Sequence, residues 1–173
     1  MPELNSILVP YSEKWILDYQ EEAEKIKNVF GNNYIDIQHI GSTSIPNMLS
    51  KPIIDVAVLI ASSENANDFI APLEKLGYVY KPEISSPERH FFKKGSPTKY
   101  HLSIAYTDKG SYWKRQILFR DYLIQHDEAR KEYEQYKLNL LREDATIDRS
   151  YKGNKEEFVQ KILSLAEKSE NTK

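Results

Sequence analysis

An almost continuously apolar run at residues 53–60, IIDVAVLI, constrains the fold of this chain more than any other feature of its sequence. Its β-branched and aliphatic side chains are typical of a central strand with both sheet faces covered. The one charged residue in the run is Asp55. A carboxylate in such a strand is costly unless it is paired or bound to a cation. We therefore expect either a functional acid or a structural aspartate that pairs with a lysine or with backbone N–H groups.

A turn rich in hydroxyl groups precedes this strand and contains Gly41, Ser42, Thr43 and Ser44. Glycine lets the backbone approach a ligand closely, and consecutive backbone amides in such a turn form a concavity that binds anions. The alternative is an ordinary capped turn, because Ser and Thr are common in turns and at helix N-caps. The turn is not a Walker loop, since the Gly-Lys-Ser/Thr ending is absent.

The rest of the chain predicts a mixed sheet followed by helices, an α/β (α+β) class. Helices are expected from Ser12 to about Phe30 and from Ser62 or Ser63 to Leu76, and C-terminal helices from about Ser111, with the last beginning near Lys155. The other predicted strands cover residues 34–40, 78–81, 90–94 and 100–106. We expect residues 1–173 to form one domain, with a sheet-containing core over about 1–107, a helical part over about 111–167 and a polar tail at 168–173.

Composition argues against several classes of protein. The formal net charge of −2 argues against general nucleic-acid binding, which requires a positive excess. Without cysteine the chain has no disulfide, no thiolate metal site and no cysteine nucleophile. No segment approaches the roughly 20 apolar residues of a membrane span, and the N-terminus lacks the pattern of a secretory signal. We expect a cytoplasmic protein that does not bind membranes, and the sequence leaves its oligomeric state open.

Asp55 and His101 are the candidate catalytic residues, and Asp55 is also the candidate metal ligand. Asp55 and Ala57 share one face of their strand, so a methyl group stands where a second acid would complete a metal-binding pair. On the predicted strand 100–106, His101 shares a face with Ser103, and no acid is present. Imidazole suits transition metals better than Mg²⁺, so His101 is expected to contact phosphate or to act as a general base. The alternative is a histidine satisfied by hydrogen bonds at a sheet edge.

A second histidine and several basic residues are further candidates. If His39 and His101 both faced Asp55, the three would resemble a His-His-Asp metal set. Arginine suits bidentate contacts with phosphate, although most surface Lys and Arg residues are merely solvated. Arg120 has the alternative of an internal ion pair with Asp121. The candidate ligand-binding residues are His39, Gly41, Ser42, Thr43, Ser44, Lys51, Arg89, Lys93, Arg120, Tyr151 and Lys155.

The ordered set of motifs resembles the GrpB family: HIGSTSIP at 39–46, KPIID at 51–55, FFKKG at 91–95, HLSI at 101–104 and FRDYL at 119–123. The resemblance implies a nucleotidyltransferase-like fold. In that superfamily a Gly-Gly or Gly-Ser pair precedes, by about a dozen residues, a strand with Asp-x-Asp or Asp-x-Glu. On that pattern Gly41-Ser42 would hold a nucleoside triphosphate and Asp55 would hold Mg²⁺. The chain departs from the family pattern at Ala57, where some members have an acid, and at Ser103, where many have histidine.

The motifs and the resemblance together predict binding of a nucleotide or another phosphate-containing small molecule. One interpretation is metal-dependent nucleotidyl transfer to an unknown acceptor. The alternative is a non-catalytic module for a nucleotide or coenzyme A-related ligand, with a degenerate metal site. GrpB-like domains occur fused to dephospho-CoA kinase in some proteins, which implies a link with coenzyme A.

Overall fold

The structure is a computed structural model that describes residues 7–143 and 148–172, and the side chains of residues 7–139 and 155–172. The chain divides into two compact units, one up to Lys114 and one from Arg115 onward. The organisation as one domain, expected from the sequence, stays a prediction.

A five-stranded mixed sheet forms the centre of the first unit. Its strands are β1 (Asp36–Ile40), β2 (Ile54–Ile60), β3 (Tyr78–Tyr80), β4 (Arg89–Lys94) and β5 (Tyr100–Tyr106). They lie in the order β1-β2-β5-β4-β3, with β2 and β5 parallel and all other neighbours antiparallel. The strands predicted from the sequence are confirmed. β1 begins at Asp36 rather than at residue 34, because a 3₁₀ turn at Gly31–Asn33 ends on Tyr34.

The helices follow the apolar periodicity of the sequence. In the first unit, α1 spans Lys14–Phe30, and a 3₁₀ helix at Ser63–Phe69 leads into the short α2 at Ile70–Lys75. The Ser- and Asn-rich sequence of that 3₁₀ segment competes with α-helical hydrogen bonding, which explains why the expected α-helix over 62–76 is only half formed.

The C-terminal third is helical, as predicted. Its helices are α3 (Tyr112–Gln125), α4 (Asp127–Glu143) and α5 (Asp148–Asn171). α5 begins before Lys155 and continues past Glu167, so residues 168–171 of the expected polar tail are helical. The Ala, Glu and Lys residues near its end are strong helix formers. None of the helices in the described parts of the chain is long and apolar enough to cross a membrane.

The hydrophobic core lies on one face of the sheet. There β2 presents Ile54, Val56, Val58 and Ile60, each 1% exposed, and α1 packs on the strand. On the opposite face of β2 only Ala57 is buried, while Asp55 and Leu59 are half-buried. The expectation that β2 is covered on both faces is therefore only partly right. The less covered face is the one that carries Asp55, so the acid keeps access to water.

Candidate functional site

Strand register brings the predicted catalytic residues together. Asp55 of β2 is the partner of His101 of β5, and Ala57 is the partner of Ser103. On the other side of β5, Lys93 of β4 is the partner of His101. Cross-strand partners have their side chains on the same face of a sheet. All five residues therefore lie on the face opposite α1, the polar face.

His101 and Asp55 form a hydrogen-bonded dyad. The Nδ1 atom of His101 donates to Oδ1 of Asp55 at 3.0 Å, and the two side chains are 25% and 32% exposed. Because Nδ1 keeps its proton and donates it to the carboxylate as a hydrogen bond, this tautomer has its lone pair on Nε2, which can accept a proton. The ring of Phe91 holds the imidazole edge-on, with centroids 5.1 Å apart. A half-exposed imidazole oriented by a carboxylate is the geometry of a general base and its orienting acid.

The surroundings of the dyad differ in two details from the structural alternatives considered from the sequence. β5 is the middle strand of the sheet, so His101 does not lie at a sheet edge. The partner of Asp55 is a histidine rather than a lysine.

The turn at residues 41–44 contacts Asp55 directly. Gly41 has φ +73°, and a Cβ atom built on it would lie 2.3 Å from Oδ2 of Asp55. Only glycine combines that backbone conformation with so close an approach. The turn and the acid therefore occupy one place on the polar face, as the spacing of the two motifs in the sequence suggests.

The hydroxyl groups of the turn have different roles. Thr43 is buried, and its Oγ1 lies 2.9 Å from Nε2 of His39. The hydroxyl of Ser44 donates to the carbonyl oxygen of Gly41 and closes the 3₁₀ turn at Ser42–Ser44. Both groups therefore shape the turn. Ser42 is half-buried and lies next to the residue that touches Asp55.

His39 does not join the dyad. It is the register partner of Val56, so it lies on the core face, where its ring stacks on Tyr19 with centroids 4.8 Å apart. Its hydrogen bond with Thr43 stabilises the turn from the core side of the sheet. The His-His-Asp set considered from the sequence is therefore not formed. Among the residues that the structure describes, no group of three or more His, Asp or Glu side chains could hold a metal ion.

Arg89 belongs to a second cluster on the polar face. Its Nη1 donates to Oγ of Ser103 at 3.0 Å and to the hydroxyl of Tyr112 at 3.2 Å. Its guanidinium carbon lies 4.6 Å from the ring centroid of Phe91 and 4.8 Å from that of Tyr112. Burial raises the pKa of Tyr112, the charge of Asp55 adds to the rise and Arg89 opposes it. The phenol hydroxyl therefore stays protonated at neutral pH.

Tyr112 is the site residue that sequence reasoning missed. It begins α3, and nothing in its local sequence separates it from the other tyrosines of the chain. The usable signal is the short connection from Tyr106, the end of β5, to the start of α3, because so short a segment keeps the first helical turn near the sheet.

The remaining predicted residues are distributed over both units. Lys51 and Lys93 are half-buried in the first unit. Arg120 lies in the second unit, where its Nε donates to Oδ1 of Asp121 at 2.9 Å; the ion pair considered from the sequence is present, but Asp121 is 46% exposed, so the pair is not internal. Lys155 is half-buried in the second unit. The side chain of Tyr151 lies outside the described residues.

Two cavities of the first unit lie away from the dyad. One, of about 430 Å³, is lined by residues that include Asn32, Asn65 and Asp68. The other, of about 390 Å³, is lined by residues that include Trp15 and Lys99. Neither contains Asp55 or His101, so the candidate site is a partly covered sheet face rather than either of these cavities.

The family model described as GrpB protein matches residues 5–165 of this chain. Among similar proteins, UPF0157 protein YqkA of Bacillus subtilis is 36% identical over 159 residues, which cover 92% of this chain and 46% of that protein. Glutamate-rich protein GrpB of Alkalihalophilus pseudofirmus is 32% identical over 163 residues, covering 91% of this chain and 94% of that one. This chain thus spans about half the length of the Bacillus subtilis relative and nearly all of the second.

A solved structure has the same fold. The conserved protein GrpB from Enterococcus faecalis aligns with a TM-score of 0.84 and 30% identity, over 94% of this chain and 98% of that one. The mixed sheet with flanking helices, predicted from the sequence, agrees with this match. A more distant relative is a dephospho-CoA kinase of Mycolicibacterium paratuberculosis, 28% identical over 167 residues, which cover 82% of this chain and 41% of that protein.

Proposed function

The chain belongs to the GrpB family, and from that premise we propose that it binds a nucleotide or another phosphate-containing small molecule on the polar face beside Asp55 and His101. The observation that carries the proposal is the contact between Gly41 and Asp55, where a Cβ atom would lie 2.3 Å from the carboxylate. The contact fixes the turn beside the dyad, and the backbone N–H groups of a glycine-containing turn are suited to a phosphate group bound next to it.

The charges on the polar face suit such a ligand. The negative charge of Asp55 would repel a phosphate, but His101 donates to this carboxylate. Arg89 and Lys93 contribute positive charge on the same face, and a fork of N–H groups on arginine matches phosphate oxygens. Coenzyme A and dephospho-CoA are included among the ligands to be tested, because a relative carries the name dephospho-CoA kinase.

The donors present do not fit the magnesium site implied by the fold family. Asp55 is the one carboxylate contributed by β2 and β5 on this face, and the position of its expected partner is the buried methyl group of Ala57. One oxygen of Asp55 accepts from His101, and the other faces Gly41. Mg²⁺ requires several oxygen ligands in octahedral geometry, and nucleotidyl transfer by metals uses carboxylates that clamp the phosphate. The residues on this face therefore do not support a step through a metal ion.

Nucleotidyl transfer to an unknown acceptor is the second candidate function. The observation that favours it is the dyad, because Nε2 of His101 is placed to take the proton from an acceptor hydroxyl group while Asp55 orients the ring. A non-catalytic binding module needs the same turn and the same basic side chains, but it needs no group that accepts a proton. The role of His101 therefore separates the two functions.

Thermal denaturation with and without ligand tests the binding proposal. ATP, UTP, coenzyme A and dephospho-CoA are each titrated in EDTA and in Mg²⁺, and a true ligand raises the melting temperature as its concentration exceeds Kd. Amide chemical shifts of Gly41, Ser42 and His101 locate the ligand. The absence of any shift in melting temperature, with and without metal, would contradict the proposal.

Label transfer from α-³²P nucleotides into cell extract tests the second candidate. We expect His101→Asn to abolish transfer if the dyad is catalytic, while binding measured in parallel is retained. Lys75→Met is the matched control, because Lys75 is exposed on α2, away from the polar face. Transfer that survives His101→Asn would remove the assigned role.

A further inference from the structure

We propose that Arg89, clamped between Phe91 and Tyr112, binds the phosphoryl oxyanion of the ligand and takes the place of a divalent metal, so that binding requires no metal ion. This inference rests on the proposed function. It adds which residue recognises the anion and that no metal ion is needed for binding.

The guanidinium group of Arg89 is held in one orientation. The rings of Phe91 and Tyr112 lie 4.6 and 4.8 Å from its central carbon. One nitrogen, Nη1, is fixed by Oγ of Ser103 and by the hydroxyl of Tyr112. A side chain that is already ordered loses little conformational entropy when it binds an anion.

The guanidinium group of Arg89 retains N–H donors for a ligand. A guanidinium carries five N–H groups, and the hydrogen bonds of this side chain within the described residues both leave from Nη1. None of the described carboxylates forms an ion pair with it. A half-buried cation without a counter-charge is unfavourable. A bidentate oxyanion such as phosphate satisfies both the charge and the remaining N–H groups.

Arg89 lies beside the position where the second metal-binding acid is missing. Ser103, which accepts from Arg89, is the register partner of Ala57, the position expected for the second metal-binding acid. A guanidinium group beside this position repels a divalent cation through like charge. At the same place it neutralises phosphate, which is what a metal ion would otherwise do.

Tyr112 and Lys93 complete the anion subsite. The hydroxyl of Tyr112 lies 3.2 Å from both Nη1 of Arg89 and Oγ of Ser103, and its proton can turn toward a ligand oxygen. Lys93 lies on the same strand and the same face as Arg89 and adds a second positive charge. The favoured ligand is thus a phosphate ester or anhydride with an exposed terminal phosphoryl group.

Isothermal titration tests the inference on the full chain, with ATP, pyrophosphate and citrate as probes. For wild type we expect the Kd for ATP in EDTA to lie within twofold of the value in Mg²⁺. Arg89→Lys keeps the charge but loses the fork, and we expect Kd to rise by about tenfold or more, as is typical of a lost charge-assisted hydrogen bond. Tyr112→Phe should weaken binding less. Lys75→Met, the charge control, should leave Kd unchanged.

The outcomes separate the inference from the proposed function. ATP binding that disappears in EDTA, or that is the same for Arg89→Lys and wild type, overturns the inference while phosphate binding stands. Tighter binding of citrate than of ATP and pyrophosphate also overturns it. If no phosphate compound binds under any condition, the proposed function fails and the inference fails with it. Melting temperatures of Arg89→Lys and Tyr112→Phe confirm that the variants are folded.

Discussion

Nδ1 of His101 lies 3.0 Å from Oδ1 of Asp55, because the two residues are register partners on adjacent parallel strands. The backbone ladder therefore sets the distance between acid and base, and no loop has to move to assemble them. The other oxygen of the same carboxylate faces the turn at Gly41. One aspartate thus links the base, the sheet and the turn.

Gly41→Ala should destabilise the protein through this contact. The backbone at φ +73° and ψ −175° is nearly restricted to glycine, and the added Cβ would meet Asp55 Oδ2 at 2.3 Å. We expect the free energy of unfolding in urea to fall by about 2–4 kcal/mol, since strain of this kind costs about 1–3 kcal/mol and the clash adds to it.

Gly31→Ala is the matched control for that variant. Gly31 also has positive φ, +56°, but a Cβ there would meet nothing within 4 Å, so only backbone strain remains. In an Asp55→Ala background the clashing oxygen is gone and only a Cβ contact at 3.1 Å remains, so the cost of Gly41→Ala should fall toward that of Gly31→Ala. Equal costs with and without the Asp55 carboxylate would show that the close contact is not the cause.

Glu22→Gln should remove a buried structural charge pair. Glu22 is 2% exposed, and its Oε1 accepts from Nζ of Lys94 at 2.6 Å and from the hydroxyl of Tyr78 at 2.9 Å. Breaking such a pair leaves the ammonium group of Lys94 without a counter-charge and with little access to water. We therefore expect the free energy of unfolding in urea to fall by about 3 kcal/mol. Replacing both charged partners, with Glu22→Leu and Lys94→Met, should recover only part of that loss, because the buried hydroxyl of Tyr78 still loses its acceptor. A double variant less stable than Glu22→Gln would contradict this account.

Acid should weaken the fold through His90. Burial lowers the pKa of His90, whose Nε2 donates to Oδ1 of Asn67 while Nδ1 accepts from the hydroxyl of Tyr106. The unfolded chain takes up the proton at the ordinary pKa of about 6.5, so the stabilisation is complete above that pH and is lost as the pH falls below it toward the lower folded value. Melting temperatures between pH 7.5 and 5 should therefore fall less for His90→Gln than for wild type. Parallel curves for the two proteins would rule out this contribution.

The ionisation of Tyr112 should report on the charges around it. Burial raises its pKa, Asp55 adds to the rise and Arg89 opposes it. Asp55→Asn should therefore lower the pKa of Tyr112, and Arg89→Met should raise it. Carbon-13 NMR of ζ-labelled tyrosine follows the titration, with Tyr112→Phe identifying the signal. Shifts in the opposite directions would show that these charges do not act on the phenol.

Much of the architecture follows from local pattern. The almost continuously apolar run at 53–60 predicted β2, because β-branched and aliphatic side chains suit a central strand, and the 3.6-residue periodicity predicted α1, because one helix face is buried. The proximity of Gly41 and Asp55 agrees with the spacing of the two motifs, and it arises because Ile40, which precedes Gly41, is the register partner of Asp55.

The composition of the polar face was less predictable, because it depends on which residues become cross-strand partners. A shift of one residue in register would exchange the two faces of a strand, so the sequence alone could not exclude His39 from the site. Arg89 reaches Ser103 and Tyr112 across β4, β5 and the start of α3, segments that no local pattern connects. Sequence reasoning therefore identified candidate residues within single motifs, but it did not find the cluster of Arg89, Ser103 and Tyr112, which comes from three separate segments.

The parallel pairing of β2 with β5 has a consequence for how the protein folds. Asp55 and His101 are 46 residues apart in sequence, whereas β4 and β5 form a local antiparallel hairpin. Long-range parallel pairs form slowly, because chain entropy must be lost before the contacts are gained. We expect the hairpin to form early and His101 to meet Asp55 only when the sheet closes, so a chain arrested part-way would lack the dyad altogether.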